Sequence, residues 1–174
     1  MLTRVFVRVV LLGGLLAGVF VLSAMAEEFL FRSTIIGSNP NTVIGGVSSG
    51  GAPWTVQRGS AALNDNGLLR VEVRKLILPS LGSPGPVTSV SASLVCGGSG
   101  GTVVATTDPV PLSGDGDAEI EAGIKLPDTC FGPIVLVRAA AFNGNPLPQA
   151  GPWIAGAGFS SSSEHDDKDD KDRK

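Results

Sequence analysis

Short runs in which apolar and polar residues alternate dominate much of the chain. The clearest run covers residues 68–74, where Leu69, Val71 and Val73 alternate with Arg and Glu. A period of two places successive side chains on opposite faces of a strand, so the run predicts a strand with one buried and one solvated face. An Asn-Asp-Asn-Gly turn joins it to segment 54–63. This arrangement predicts a β-hairpin.

Five further segments have the alternation or the composition of strands. Segment 118–126 alternates Ile and Ala with Glu, and segment 87–96 alternates Val, Ala and Leu with Ser. Segment 102–107 is rich in β-branched residues, and segment 134–141 is almost wholly apolar, as expected of a strand covered on both faces. The segments are 87–96, 102–107, 118–126, 134–141 and 153–159. Because Gly, Pro, Asn and Asp separate these strands and no long amphipathic helix interrupts them, we expect an all-β fold. The prediction is a single immunoglobulin-like β-sandwich of about seven strands over residues 54–159.

The N-terminus has the three parts of a secretory signal peptide over residues 1–26. Arg4 and Arg8 precede an uncharged apolar run, and an Ala-Met-Ala sequence ends it, so cleavage is expected between Ala26 and Glu27. The run is shorter than the roughly 20 apolar residues that a membrane-spanning helix needs. We therefore expect a secreted, extracellular protein without stable membrane insertion after cleavage. The alternative is anchoring by an uncleaved N-terminal helix.

Two segments flank the predicted sandwich. Residues 27–53 form an N-terminal arm that we expect to be mainly loop, with a Gly/Ser connector over 45–51 and enough apolar residues in 29–36 for an edge strand. Residues 160–174 begin with four serines and continue as a charged run without apolar residues. This composition predicts a disordered charged tail.

The only two cysteines are Cys96 and Cys130. Exported proteins fold in oxidising compartments, where such a pair forms a disulfide. The pair is not a Cys-x-x-Cys motif, and the flanking residues supply neither the His nor the basic groups that a reactive thiol or a metal site requires. The sequence therefore predicts one structural disulfide.

Charge and composition exclude several functions. The chain has 13 Lys and Arg against 16 Asp and Glu, so phosphate backbones and anionic membrane surfaces are unfavourable partners. The single histidine, His165, lies in the tail, which excludes a Ser-His-Asp triad or a zinc site in the predicted sandwich. No catalytic residue, cofactor or metal ligand is predicted. The expected partner is a protein or a glycan of unknown identity.

Carboxylates leave two chemistries open. Asp115, Asp117 and Glu119 are spaced like the start of a calcium loop, but no acid stands at the twelfth position and a strand follows. A carboxylate-based hydrolase would need two of the acids near the predicted strand ends to converge in a cleft. Those acids are Asp108, Glu119, Glu121 and Asp128. The simpler interpretation is a solvated strand face.

The two tryptophans share a local setting. Trp54 follows Ala-Pro and Trp153 follows Gly-Pro, at the first and last strands of the predicted sandwich. Facing inward, the indoles would fill the core. Facing outward, they would form a platform for a sugar or a small apolar ligand.

Segments 44–47, 51–54 and 84–90 resemble those of small secreted proteins of high-GC bacteria. Segments 67–73 and 130–135 are faintly similar to the CHRD domain, an extracellular β-rich module, although the histidine pair typical of that family is absent here. Neither resemblance implies a defined activity. We therefore expect a non-enzymatic module for surface interaction, adhesion or envelope association, with ligand binding through exposed Trp as the alternative and hydrolysis as the least favoured function.

Overall fold

The computed structural model describes residues 28–158, and this part of the chain is all-β. It contains thirteen strands and one short 3-10 turn, η1, at Gly98–Gly100. The strands are β1 (Phe29–Thr34), β2 (Ile36–Gly37), β3 (Val43–Ile44), β4 (Val47–Ser48), β5 (Arg58–Asn64), β6 (Leu68–Arg74), β7 (Val87–Cys96), β8 (Thr102–Thr106), β9 (Val110–Pro111), β10 (Ala118–Gly123), β11 (Ile134–Phe142), β12 (Asn145–Pro146) and β13 (Trp153–Ala157). The predicted signal peptide, its cleavage site between Ala26 and Glu27, and the tail 160–174 lie outside the described residues.

Four strands form one antiparallel sheet, sheet A, in the order β1-β5-β6-β10. The predicted hairpin is confirmed, since β5 pairs with β6 across the Asn-Asp-Asn-Gly turn. Gly67 takes the positive φ of 85° that the turn needs, and the buried Asn64 side chain accepts a hydrogen bond from the Leu68 backbone N–H at 2.7 Å. Strand β5 begins at Arg58, a few residues later than the sequence predicts.

The larger sheet, sheet B, has the order β2-β13-β11-β7-β8, with β9 paired to β7 and β12 paired to β11. All of its pairs are antiparallel. The long central strands β7 and β11 match the segments predicted at 87–96 and 134–141. Their apolar composition is explained by burial of both faces, which includes Leu94 and Val95 on β7.

Both sheets bury side chains in one hydrophobic core. Sheet A contributes Leu69, Val71 and Ile120, and sheet B contributes residues such as Leu94 and Val137 to the same cluster. The alternation in the sequence therefore corresponds to one face of each sheet turned to a shared core and, in sheet A, an opposite face with charged side chains.

The segment expected to be mainly loop contributes to both sheets. Strand β1 pairs with β5 at the edge of sheet A, and β2 pairs with β13 at the edge of sheet B. The β3–β4 hairpin packs Ile44 and Val47 against a second cluster of Val95, Leu136 and Trp153. Strand β1 is the edge strand that the apolar residues of 29–36 allowed, whereas β2, β3 and β4 have two residues each, so their local sequence gives little signal. Strand pairing does not test whether residues 27–53 fold separately, and that boundary stays a prediction.

Candidate functional site

The predicted disulfide is present between Cys96, the last residue of β7, and Cys130, in the loop before β11. Their Cα atoms are 5.0 Å apart. Next to it, the Gly97 N–H donates to the Phe131 carbonyl at 2.6 Å, and the Gly98 N–H donates to the Gly132 carbonyl at 3.1 Å. The disulfide and these hydrogen bonds fix the loop that carries Phe131 against the η1 turn.

A continuous cleft, which we call the β1 cleft, lies beside this loop. It consists of two adjoining cavities of about 630 Å³ and 460 Å³ that share Ser33, Ser99, Ile134 and Gly158. The walls come from β1, the η1 turn, the beginning of β11 and the end of β13. The β1 cleft therefore opens at the end of the fold where the chain passes from sheet A to sheet B.

Large apolar side chains border the β1 cleft and are exposed. Leu30 and Ile36 line it and are 56% and 60% exposed, and Phe131, next to the lining residue Gly132, is 80% exposed. Clustered exposed apolar residues around a concavity mark interaction surfaces.

One edge of strand β1, which borders this cleft, is paired with no other strand among residues 28–158. The Ile35 N–H donates to the Gly59 carbonyl at 3.0 Å, which fixes the phase of the antiparallel ladder between β1 and β5. Because hydrogen-bonding direction alternates along a strand, the backbone groups of Arg32 and Thr34 point away from β5. At the end of this edge, the Ser33 hydroxyl donates to the Gly158 carbonyl at 3.1 Å.

A second concavity, which we call the Trp54 cavity, lies at the opposite ends of β11 and β13. Its volume is about 260 Å³. No charged residue lines it in the described part of the chain. The lining residues are Gly50, Gly51, Ala52, Trp54, Leu78, Pro86, Val87, Ala139, Phe142, Pro152 and Ile154.

The two indoles are both buried but lie in different clusters. Trp54 is 7% exposed and belongs to the main core, whereas Trp153 is 6% exposed and belongs to the second cluster under the β3–β4 hairpin. Both indoles are thus buried, and they lie in separate clusters. Their burial favours the interpretation as core residues.

The indole N–H groups differ in their surroundings. The Trp153 Nε1 is buried and has no hydrogen-bond partner in the part of the chain that the structure describes. The Trp54 Nε1 also has no hydrogen-bond partner among residues 28–158, but it is not among the sealed polar atoms of that range. It lies beside Gly50, where a Cβ atom would be 3.1 Å from it. The Trp54 N–H is therefore an accessible donor at the Gly50 wall of the cavity.

Two of the four carboxylates considered for hydrolysis, Glu119 and Glu121, lie in β10. Glu119 and Glu121 lie on the solvated face of sheet A, where Glu121 contacts Arg70 at 3.2 Å and Glu119 is registered opposite Glu72. None of the four candidate acids lines the β1 cleft or the Trp54 cavity. Among residues 28–158 no three His, Cys, Asp or Glu side chains are grouped for metal binding.

Asp117, from the calcium-like sequence, has a structural contact instead. Its Oδ1 accepts a hydrogen bond from the Lys75 backbone N–H at 2.9 Å, and its own N–H donates to the Ser113 hydroxyl at 2.9 Å. These bonds hold the turn before β10 against the end of β6. The alternating acids therefore occupy a turn and a strand face.

Sequence reasoning missed Arg138, the one charged residue within β11. Its Nε donates to the Gly151 carbonyl at 2.7 Å, and its Nη2 donates to the Ala150 carbonyl. Partial burial lowers the pKa of the Arg138 guanidinium from its ordinary value. These bonds hold the chain immediately before Pro152, a wall residue of the Trp54 cavity. In the sequence, the single charge within an otherwise apolar strand could have indicated that Arg138 has a specific contact.

No family model, curated protein or solved structure matches this chain. Within residues 28–158, no helix has the length and apolar character needed to cross a membrane.

Proposed function

We propose that the protein is a secreted, non-enzymatic module with an immunoglobulin-like sandwich, and that it binds a protein partner at the β1 cleft. The exposed apolar residues of this cleft, next to an edge of β1 that no other described strand covers, are the observation that carries the proposal. The proposed partner segment is extended and apolar, so that it adds a strand to β1 and inserts side chains into the cleft.

Strand order supports the immunoglobulin-like assignment. In the usual lettering, β5, β6 and β10 correspond to strands A, B and E of one sheet, and β7, β11 and β13 correspond to C, F and G of the other. The B–E and C–F neighbours of that fold are the pairs β6–β10 and β7–β11. Strand β8 pairs with the C equivalent in sheet B, and β1 and β2 are additional edge strands.

The disulfide and the signal-peptide pattern support secretion. A Cys96–Cys130 bridge is expected to persist in an oxidising compartment and to be reduced in most cytosols. The uncharged run before Ala26 supplies the export signal. The glycan-binding alternative rested on exposed indoles, and their burial gives it no comparable support.

Site-specific photo-crosslinking in the native host tests this function. A photoreactive residue at Leu30 is expected to capture a discrete protein adduct, because Leu30 lines the β1 cleft. Val104, an exposed apolar residue on the edge strand β8 of sheet B, is the matched control. Adding Phe131→Asp to the Leu30 probe should remove the adduct by placing a charge at the apolar border. The proposal fails if both probes capture the same proteins, or if the Leu30 probe captures none.

A further inference from the structure

We propose that the Trp54 cavity is a binding site for small neutral molecules that combine an apolar ring or short chain with one hydrogen-bond acceptor oxygen, such as a ketone, lactone or ester. The site is separate from the β1 cleft. The cavity lies where β7 and β13 begin and β11 ends, whereas the cleft lies at the other ends of β11 and β13, and the two share no lining residue.

The lining determines the apolar part of the ligand. Aliphatic, proline and aromatic side chains form the wall, including Leu78, Phe142 and Pro152. A volume of about 260 Å³ lies just below the roughly 300 Å³ at which pockets for drug-sized ligands begin, so the cavity suits one ring or a short chain. A charged ligand would lose its hydration without gaining a counter-charge, which selects neutral molecules.

The Trp54 indole supplies the polar part of recognition. The N–H of a buried tryptophan usually has an acceptor, and the Trp54 Nε1–H, on a residue that is 7% exposed, has none among the described residues. The ring itself is fixed by burial in the main core, with only 7% of the residue exposed. A ligand oxygen would therefore meet a donor whose position is already set, which reduces the entropy lost on binding.

Gly50 leaves this donor uncovered. Its Cβ position lies 3.1 Å from Trp54 Nε1 and 3.5 Å from Ile154 Cγ2, so a methyl group there would crowd the indole nitrogen. The adjacent Gly51 has no atom within 4 Å of its Cβ position, and neither glycine has a positive φ that would forbid alanine. Gly50→Ala is therefore the test substitution, and Gly51→Ala is its matched control.

The test is a titration of the mature chain with cyclohexanone, followed by the two tryptophan indole N–H signals in ¹H–¹⁵N correlation spectra. We expect a saturable shift of the Trp54 signal and no comparable shift of the sealed Trp153 signal. Cyclohexane, which has the ring but no oxygen, should bind without the downfield proton shift that hydrogen bonding causes.

Two substitutions test the proposed geometry. Gly50→Ala should weaken cyclohexanone binding about fivefold, the equivalent of one hydrogen bond of roughly 1 kcal/mol, while Gly51→Ala should bind like the wild type. Trp54→Phe should show the same loss in ligand-observed spectra, since it keeps an aromatic ring and removes the donor. A linear, non-saturating shift, or equal affinity in Gly50→Ala and the wild type, would overturn the proposal.

Discussion

Trp153 and Ile154 are neighbours in β13, yet they bury their side chains on opposite faces of sheet B. Ile154 belongs to the core shared by the two sheets, and Trp153 belongs to the cluster beneath the β3–β4 hairpin. Trp153 lies on the outer face of this sheet and is only 6% exposed, because the β3–β4 hairpin of the N-terminal arm packs over it. The Gly50 N–H strengthens this contact by donating to the Trp153 carbonyl at 2.9 Å.

Trp153→Ala should remove the anchor of the arm. We expect a loss of about 3–5 kcal/mol in the free energy of unfolding, because a large buried ring is replaced by a cavity. Protease cleavage within the β3–β4 hairpin should accelerate in native conditions. Urea unfolding and limited proteolysis measure these effects, with the exposed Val43→Ala as control. An unchanged cleavage rate would contradict anchoring by Trp153.

Loss of the disulfide should destabilise the fold without changing its topology. The loop closed by Cys96 and Cys130 spans a sequence separation of 34, for which loop entropy predicts a loss of about 3–4 kcal/mol. Chemical unfolding of wild type with and without reductant measures the effect. The Cys96→Ala/Cys130→Ala variant is the control, since it should have the reduced stability in both conditions. Equal stability of oxidised and reduced wild type would refute the structural role.

Gly116→Ala should be much more harmful than Gly114→Ala. Gly116 has φ +84°, and a Cβ atom there would meet the Leu76 backbone N at 2.7 Å. Gly114 has no atom within 4 Å of its Cβ position and no positive φ. We expect a loss of about 2 kcal/mol or more at position 116 and less than about 1 kcal/mol at position 114, read from thermal or urea unfolding. Similar losses would show that the close approach to Leu76 is absent.

Asn64→Ala tests the hairpin turn. The Asn64 side chain is 2% exposed and accepts the Leu68 N–H at 2.7 Å, so alanine should leave a cavity and an unmade hydrogen bond. The expected loss is about 1–3 kcal/mol. Asn66→Ala is the control, because exposed Asn66 accepts the same N–H at 3.1 Å and water can replace it. If the two variants unfold at the same urea concentration, burial of Asn64 does not contribute.

Local patterns predicted the strands that have a clear period of two or a continuous apolar run. Segment 87–96 coincides with β7, and the Asn-Gly turn correctly predicted the hairpin between β5 and β6. The same reasoning anticipated an edge strand within 29–36, where β1 lies, but not β3 and β4, which have two residues each and no measurable period. Trp54 and Trp153 were identified as notable residues, but alternation does not say which face of a sheet is covered.

The sequence by itself determined the approximate positions of the longer strands, the position of the hairpin turn, and the pairing of the only two cysteines. These features depend on neighbouring residues, on backbone conformation at single glycines, or on a count. Only the tertiary structure decided that the arm covers Trp153, that Arg138 holds the chain before Pro152, and that the Trp54 N–H meets a cavity beside Gly50. The arm and Trp153 are about a hundred residues apart in the chain, and burial of a side chain depends on which strands pack over it, which the local pattern does not show.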